Sequence, residues 1–177
     1  MKKYIVLLTA ALTVAVILAG VYISAKPKIN FTPKTEQTQK VNYVDPALKP
    51  LVDKYKLYGV DIYMDNYAFP ANQNGHYSNI NQVIYIKSTS PQIENTLNHE
   101  YVHYRQQSSP AIDWKPFYDS YPAVRNRLDE GYGEYIKEET EAVACAEIKN
   151  LPSPYLERCN FLLPNRNLLP FILDTPR

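Results

Sequence analysis

The sequence has almost no excess charge and very few glycines. Its 177 residues include 19 basic and 18 acidic side chains, a net charge of +1. No surface field of one sign is therefore available to gather nucleic acid, and we expect no nucleic-acid partner. Only 5 glycines accompany 16 tyrosines and 14 prolines, which is typical of a folded domain with stiff turns rather than of a disordered chain. This length has room for one compact domain and a targeting segment.

Charge is also absent from a long stretch near the N-terminus. Met1-Lys2-Lys3 precedes an uncharged run over residues 4–25, which is long enough to cross a bilayer as a helix. A cleaved signal peptide usually has a shorter apolar run and small residues before the cut, and Ile23 occupies one of those positions. The sequence therefore favours an uncleaved transmembrane anchor over residues 1–25, with the N-terminus inside and the domain outside the membrane. Cleavage would give a secreted domain instead.

A polar segment follows this predicted anchor. Residues 26–42 contain Pro27, Pro33 and a run of Thr, Gln and Lys, a composition typical of a flexible linker. The folded domain is therefore expected over residues 43–177, held away from the bilayer by the linker. We find no internal repeat.

The chain has only 2 cysteines, Cys145 and Cys159. An even pair in an exported chain favours a disulfide, and the intervening Pro152 and Pro154 favour a turn that brings the two segments together. Two buried thiols are the alternative, because spacing alone does not show whether the Cα atoms come within bonding range.

The hydrophobic pattern predicts an α+β domain. Val60, Ile62 and Met64 recur with the period of two that indicates a strand, and residues 82–87 are apolar on both faces. The residues between these strands, 70–81, include Asn-Gly and are predicted to form a loop. Capping residues and helical spacing predict helices over residues 45–59, 90–107 and, with a break at the glycines, 123–150.

Two of the 3 histidines lie four residues apart within the second predicted helix. Asn98-His99-Glu100-Tyr101-Val102-His103 is an H-E-x-x-H sequence. Residues at this spacing share one helix face, so both imidazoles can bind one Zn²⁺ while Glu100 points at the remaining ligand, a water. Zinc lowers the pKa of such a water toward about 7, and the glutamate takes its proton as general base. The alternative is that the two histidines only line a polar helix face.

A zinc site of this kind needs a third protein ligand and an open fourth position. Three glutamates within residues 138–141 are candidates for this third ligand. Successive residues of a helix are rotated by about 100° around its axis. With this rotation, Glu139 shares a face with apolar residues such as Ile136, whereas Glu138 and Glu141 fall on the charged face. A carboxylate on an apolar face is costly unless a cation or a proton neutralises it. Glu139 is therefore the expected third ligand; a different helix phase would leave it solvated.

These motifs resemble those of the gluzincin metallopeptidases, which combine an H-E-x-x-H helix with a glutamate ligand on a later helix, often written E-x-x-A. The matching residues are 98–103 and Glu139-Thr-Glu-Ala142. The resemblance covers roughly residues 82–146 and is closest to the very small members of the clan. It implies a small zincin-like domain with a short β-sheet, a motif helix and a second glutamate-bearing helix, here preceded by the transmembrane helix. It also implies that the strand at residues 82–88 forms the rim of the cleft and pairs with an extended peptide.

One position departs from the family pattern. Many gluzincins carry an aspartate four residues after the glutamate ligand, where it supports a zinc-bound histidine, and here that residue is Val143. Another group must serve in its place. His76, Tyr132 and Tyr135 are candidates to donate to an oxyanion, although solvation of His76 and packing of the tyrosines are the ordinary interpretations. Trp114, with Phe117 and Tyr118, could line a substrate wall, although packing in the core is the expected role.

Three hypotheses for the function follow. The favoured one is a membrane-anchored extracytoplasmic zinc metallopeptidase that hydrolyses peptide bonds in peptide or protein substrates. Its metal ligands are His99, His103 and Glu139, and Glu100 is its general base. The second is a catalytically weak or inactive zincin-like surface domain that binds a protein partner. The third is an interaction module in which the H-E-x-x-H sequence is accidental.

Overall fold

The computed structural model describes residues 42–66, 69, 73–109, 112–128 and 134–173. The anchor predicted over residues 1–25 lies outside these residues, as does the predicted linker apart from its last residue. None of the helices within the described residues is long and apolar enough to span a membrane.

The described residues form six helices, three strands and a 3₁₀ turn, which confirms the predicted α+β class. In chain order these are α1 (Lys49–Tyr55), β1 (Asp61–Met64), β2 (Gly75–Ser78), β3 (Val83–Ile86), α2 (Ile93–Gln106), α3 (Lys115–Ser120), α4 (Pro122–Leu128), α5 (Glu134–Glu147), α6 (Tyr155–Leu162) and the 3₁₀ turn Arg166–Leu168. The helix predicted over residues 123–150 is therefore two helices, α4 and α5. Helices α3 and α6 have no counterpart in the prediction from sequence.

The three strands form one sheet in the order β1-β3-β2. The central strand β3 runs parallel to β1 and antiparallel to β2. Beside β1, the backbone N–H of Ile62 donates to the carbonyl of Tyr43 at 2.8 Å and the N–H of Asp45 donates to the carbonyl of Ile62 at 2.8 Å. Within the described residues, no strand pairs with the outer edge of β2. That edge is where a further strand can be added.

The expectation that residues 82–88 form the rim strand is wrong. Those residues contain β3, which is hydrogen-bonded to a strand on each side and has no edge left for a peptide. The edge strand is β2, which lies within residues 70–81, where the sequence predicts a loop. The rim therefore comes from the strand that precedes β3 in the chain.

The core lies between the sheet and α2. Ile62, Ile84 and Ile86 are fully buried and alternate with residues on the other face of the sheet, as the period of two requires. Leu97 and Tyr101 on α2 are buried in the same cluster. Burial of each large apolar side chain contributes about 1.5–3 kcal/mol, so this contact fixes the position of α2 against the sheet.

Helix α5 is held on its far side by the C-terminal part of the chain. The predicted disulfide between Cys145 and Cys159 is present and joins α5 to α6. The buried guanidinium of Arg166 donates to the carbonyl of Cys145 at 2.9 Å, and it also donates to the carbonyls of Ile148 and Lys149. A cation at these unpaired carbonyls stabilises the end of the helix. Both features fix α5, the helix that carries Glu139.

Candidate metal centre

Three side chains from two helices converge beside the sheet. The Nε2 atoms of His99 and His103 on α2 are 3.2 Å apart. On α5, one carboxylate oxygen of Glu139 lies 3.3 Å from Nε2 of His99, and the other lies 3.2 Å from Nε2 of His103. The structure therefore brings together the three residues that the sequence singles out as metal ligands.

Local helix geometry explains this arrangement. The two histidines are four residues apart on α2, so their rings project from one face, one turn apart. Helix α5 packs along α2, and Glu139 lies on the side that meets this face. The histidine side chains are each 15 % exposed and that of Glu139 is 18 % exposed, so the group is largely shielded but still accessible to solvent.

The donor set fits a divalent cation such as zinc. Four ligands at about 2.05 Å around a tetrahedral Zn²⁺ are about 3.3 Å from one another. The two Nε2 atoms are 3.2 Å apart, and each lies 3.2 to 3.3 Å from a different carboxylate oxygen of Glu139. One ligand atom from each residue lies within 4.8 Å of the others, so the group could hold a metal ion. Two nitrogens and one carboxylate satisfy the chemistry of a zinc site and leave one coordination position open.

The ionisation of these groups also reflects their proximity. Burial by itself would raise the pKa of Glu139, but its hydrogen bonds to His103 and His99 outweigh burial and hold that pKa well below its usual range. Burial would likewise lower the pKa of His103, but the hydrogen bond and negative charge of Glu139 raise it to about 9. Without a metal, a proton on His103 therefore takes the place of the cation, and a metal must displace it.

Glu100 lies on α2 beside this group and is 7 % exposed. Strand β2 passes close to it at Gly75. A Cβ atom at Gly75 would lie 2.8 Å from Cγ and 2.9 Å from Oε1 of Glu100, and 2.6 Å from Cγ2 of Thr96. Only glycine allows the strand to approach the carboxylate so closely. The position of Glu100 therefore depends on a residue without a side chain.

The second ring nitrogen of each histidine faces a polar partner. Nδ1 of His103 is 2.8 Å from Oε1 of Gln106, and Nδ1 of His99 is 3.9 Å from Oε1 of Glu147. Val143, at the position where many gluzincins have an aspartate, is buried. The side chain that contacts the outer nitrogen of His103 is thus Gln106 at the end of α2, and Glu147 on α5 lies at longer range from His99.

The sequence predicts Glu141 on the charged face of α5, and this prediction is wrong. Glu141 is 1 % exposed. Its carboxylate accepts hydrogen bonds from the guanidinium Nε of Arg158 at 2.6 Å, the indole Nε1 of Trp114 at 3.0 Å and the amide Nε2 of Gln106 at 2.9 Å. Helix α6 supplies Arg158, and the sequence pattern does not indicate this helix. Glu138 remains exposed as expected.

The candidate site opens into a cleft of about 640 Å³, large enough for a peptide segment. Strand β2 borders it with Gly75, His76 and Tyr77. Helix α2 contributes the two proposed histidine ligands and Glu100, and α5 contributes Glu139 and Glu147. Among the described residues that line it, none is a lysine or an arginine. The unpaired edge of β2 and the candidate metal centre therefore border the same open space.

The secondary candidates differ in their placement. Tyr135 is 62 % exposed and borders the cleft one turn before Glu139 on α5, so the expectation that it packs in the core is wrong. Tyr132 lies outside the described residues. His76 is exposed on β2 in register with Tyr85, and it borders the cleft beside Gly75 and Tyr77. Trp114 is fully buried, as expected.

Sequence reasoning missed Gly75 and Gln106 as functional residues. Gln106 is three residues after His103 on the same helix, and polar pairs at this spacing are a local signal that was available. The role of Gly75 depends on the distance between a strand and a helix, which no local pattern encodes.

The chain was also compared with known proteins. Comparison with protein-family models, with curated proteins and with solved structures gives no match. The function is therefore inferred from the geometry of the site.

Proposed function

We propose that the chain is a gluzincin-type zinc metallopeptidase that hydrolyses peptide bonds in peptide or protein substrates. One observation carries this proposal: one ligand atom from each of His99, His103 and Glu139 lies within 4.8 Å of the others, beside the carboxylate of Glu100. The proposal includes a zincin-like fold, in which α2 is the motif helix and α5 is the glutamate-bearing helix.

Zinc is the cofactor that this donor set favours. His99 and His103 would each bind through Nε2, and Glu139 through its carboxylate, which leaves one position open. When bound, zinc supplies Lewis acidity, which makes water acidic near neutral pH and polarises a carbonyl. The negative charge of Glu139 offsets part of the charge of the cation in a site that is largely shielded from water.

Glu100 is the proposed general base. Its carboxylate is largely buried yet borders the cleft, and it lies on the same helix as both proposed histidine ligands. From there it can take a proton from a water at the site and return that proton to the leaving amine. Gly75 keeps the strand clear of this carboxylate.

The edge of β2 is the proposed binding surface for the substrate backbone. Among the described residues nothing pairs with this edge, and Gly75 and Tyr77 border the cleft. An extended peptide can add to such an edge through main-chain hydrogen bonds. Those bonds would hold the peptide next to Glu100 and the metal centre.

The proposed location is the outer side of a membrane. The disulfide between Cys145 and Cys159 supports an oxidising compartment, because such bonds form and persist in exported domains. The anchor predicted over residues 1–25 would keep the domain attached to the membrane.

A second candidate is a catalytically weak or inactive surface domain that binds a protein partner. It is favoured by one observation: Val143 replaces the aspartate that supports a histidine in many gluzincins, and Val143 is buried. Metal content and turnover separate the two candidates.

The test is zinc content and peptide hydrolysis of the full chain purified in detergent. We expect about one zinc per chain in the wild type. Glu100→Gln should retain the zinc and lose activity by about 10²–10⁴-fold, the usual contribution of a general base. Glu139→Gln should lose zinc as well, whereas Glu138→Gln, an exposed neighbour on the same helix, should retain it.

Each other result points to a different function. Wild-type protein that holds zinc but hydrolyses no peptide in a mixed library would support the partner-binding domain. Wild-type protein without zinc, purified with zinc in the medium, would overturn the metal centre and leave the interaction module.

A further inference from the structure

The hydrogen bonds of Gln106 show which atom of its amide faces His103. Nε2 of Gln106 is 2.9 Å from the carbonyl oxygen of Glu138 and 2.9 Å from Oε2 of Glu141. Both partners only accept, so they take the two hydrogens of the amide. The amide oxygen is left to face His103, where Oε1 and Nδ1 are 2.8 Å apart.

That orientation of the amide determines which ring nitrogen of His103 carries the proton. Because Oε1 of Gln106 can only accept, Nδ1 of His103 must be the donor in this hydrogen bond. A neutral imidazole protonated at Nδ1 presents an unprotonated Nε2, which is the atom that faces His99 and Glu139. The hydrogen bond thus selects the tautomer that a metal requires and holds the ring in one plane.

The amide itself is held by a buried ion pair. Glu141 accepts from Nε and Nη2 of Arg158 at 2.6 and 3.3 Å and from Nε1 of Trp114 at 3.0 Å. Arg158 also donates to Oγ of Ser109, and both Arg158 and Glu141 are 1 % exposed. A carboxylate with these partners cannot rotate freely. The hydrogen bond that the amide of Gln106 donates to Glu141 therefore has a fixed direction.

We propose that Gln106 is a positioning residue for His103, held in place by the buried pair Glu141–Arg158. This inference rests on the proposed zinc site. His99 has no comparable partner at hydrogen-bond distance in the described residues, since Oε1 of Glu147 is 3.9 Å from its Nδ1. The arrangement therefore supports one of the two proposed histidine ligands more firmly than the other.

Gln106 could instead serve only to tie α2 to α5. Two substitutions separate these roles in the full chain. Gln106→Met keeps the length of the side chain and removes both its donors and its acceptor. Gln106→Glu keeps an acceptor for Nδ1 of His103 but repels Glu141, so it weakens the tie between the helices.

The readouts are the zinc dissociation constant, measured by competition with a chelator, and the NMR signal of the His103 Nδ1 proton in the zinc-loaded protein. In the wild type, this proton should be protected from exchange with water. Gln106→Met should bind zinc about 10–100-fold more weakly and lose the protected signal. Gln106→Glu should keep the signal and bind zinc more tightly than Gln106→Met. Without metal, the melting temperature of Gln106→Glu should be no higher than that of Gln106→Met.

Gln107→Met is the matched control, because the amide oxygen of Gln107 accepts from the hydroxyl of Tyr77 at 3.0 Å instead. It should leave the zinc dissociation constant unchanged. Equal zinc affinity in the wild type and Gln106→Met, or no protected proton in the zinc-loaded wild type, would overturn the positioning role while the proposed function stands. A wild type that binds no zinc would overturn both.

Discussion

At the scale of single residues, the close approach of β2 to α2 is possible because Gly75 has no side chain. Any Cβ there would lie within 3 Å of Glu100 and Thr96, closer than atoms in a packed interior approach. Thr96 cannot rotate away without cost, because its Oγ1 is 3.0 Å from Oγ of Ser90. The carboxylate of Glu100 is the more mobile neighbour and is therefore the one that would be displaced.

Gly75→Ala should accordingly impair the reaction without removing the metal. We expect kcat to fall by about 10–100-fold, because a shift of about 1 Å in a reacting group costs up to about 10²-fold in rate. Zinc content should stay near one per chain. Ser78→Ala, on the same strand but not among the residues that line the cleft, should change kcat by less than about threefold. An unchanged kcat in Gly75→Ala would show that Glu100 does not need its present position.

The residues of the candidate metal centre could be predicted from sequence because their signals are local. The spacing of His99 and His103 needs only one helix, and the phase of Glu139 needs only the helix that carries it. The same reasoning failed at Glu141, whose burial depends on Arg158 from a different element. Long-range partners of this kind leave no periodic trace in the sequence.

At the scale of elements, two of the missed segments have a weak pattern for a physical reason. Strand β2 reads Gly-His-Tyr-Ser, and only Tyr77 of these four residues is buried, so the strand has no alternation to detect. It is stabilised by pairing with β3. Helix α6 has only eight residues, and its attachment depends on the disulfide and on Arg158. Tertiary contacts rather than intrinsic propensity determine both elements.

The attachment of α6 can be tested through its buried ion pair. Arg158→Met leaves the carboxylate of Glu141 buried without its cation, and loss of one partner of such a pair typically costs about 3–5 kcal/mol. We expect the free energy of unfolding to fall by about 3 kcal/mol, the lower end of this range, because Trp114 and Gln106 still donate to Glu141. The measurement is urea-induced unfolding of the full chain with the disulfide intact.

The matched control for this change is an exposed ion pair. Nζ of Lys49 is 2.6 Å from Oδ2 of Asp53, but the two side chains are 64 % and 49 % exposed, and water screens pairs of this kind. Lys49→Met should produce no measurable change in unfolding. If Lys49→Met and Arg158→Met had equal effects, the Glu141–Arg158 pair would not be a principal attachment of α6.

At the scale of the whole molecule, the candidate metal centre is a junction between parts of the fold that are distant in sequence. Helix α2 is fixed by the sheet, and α5 is fixed by the disulfide and by Arg166. The hydrophobic pattern predicts the α+β class because long helices and a buried strand are visible locally. The number of helices depends on how the C-terminal part of the chain packs, and the order of the strands depends on which segments pair. The hydrophobic pattern encodes neither.

A metal at this junction should stabilise the fold, because it ties α2 to α5. A ligand bound only by the native state adds about 2.7 kcal/mol when its free concentration is 100 times the dissociation constant. For a domain of this size, that corresponds to a rise in melting temperature of about 10 °C. Chelator should therefore lower the Tm of the wild type and of Glu138→Gln, and it should leave the Tm of Glu139→Gln unchanged. Equal melting of the wild type with and without chelator, or a chelator effect that persists in Glu139→Gln, would mean that no metal joins the two helices through this carboxylate.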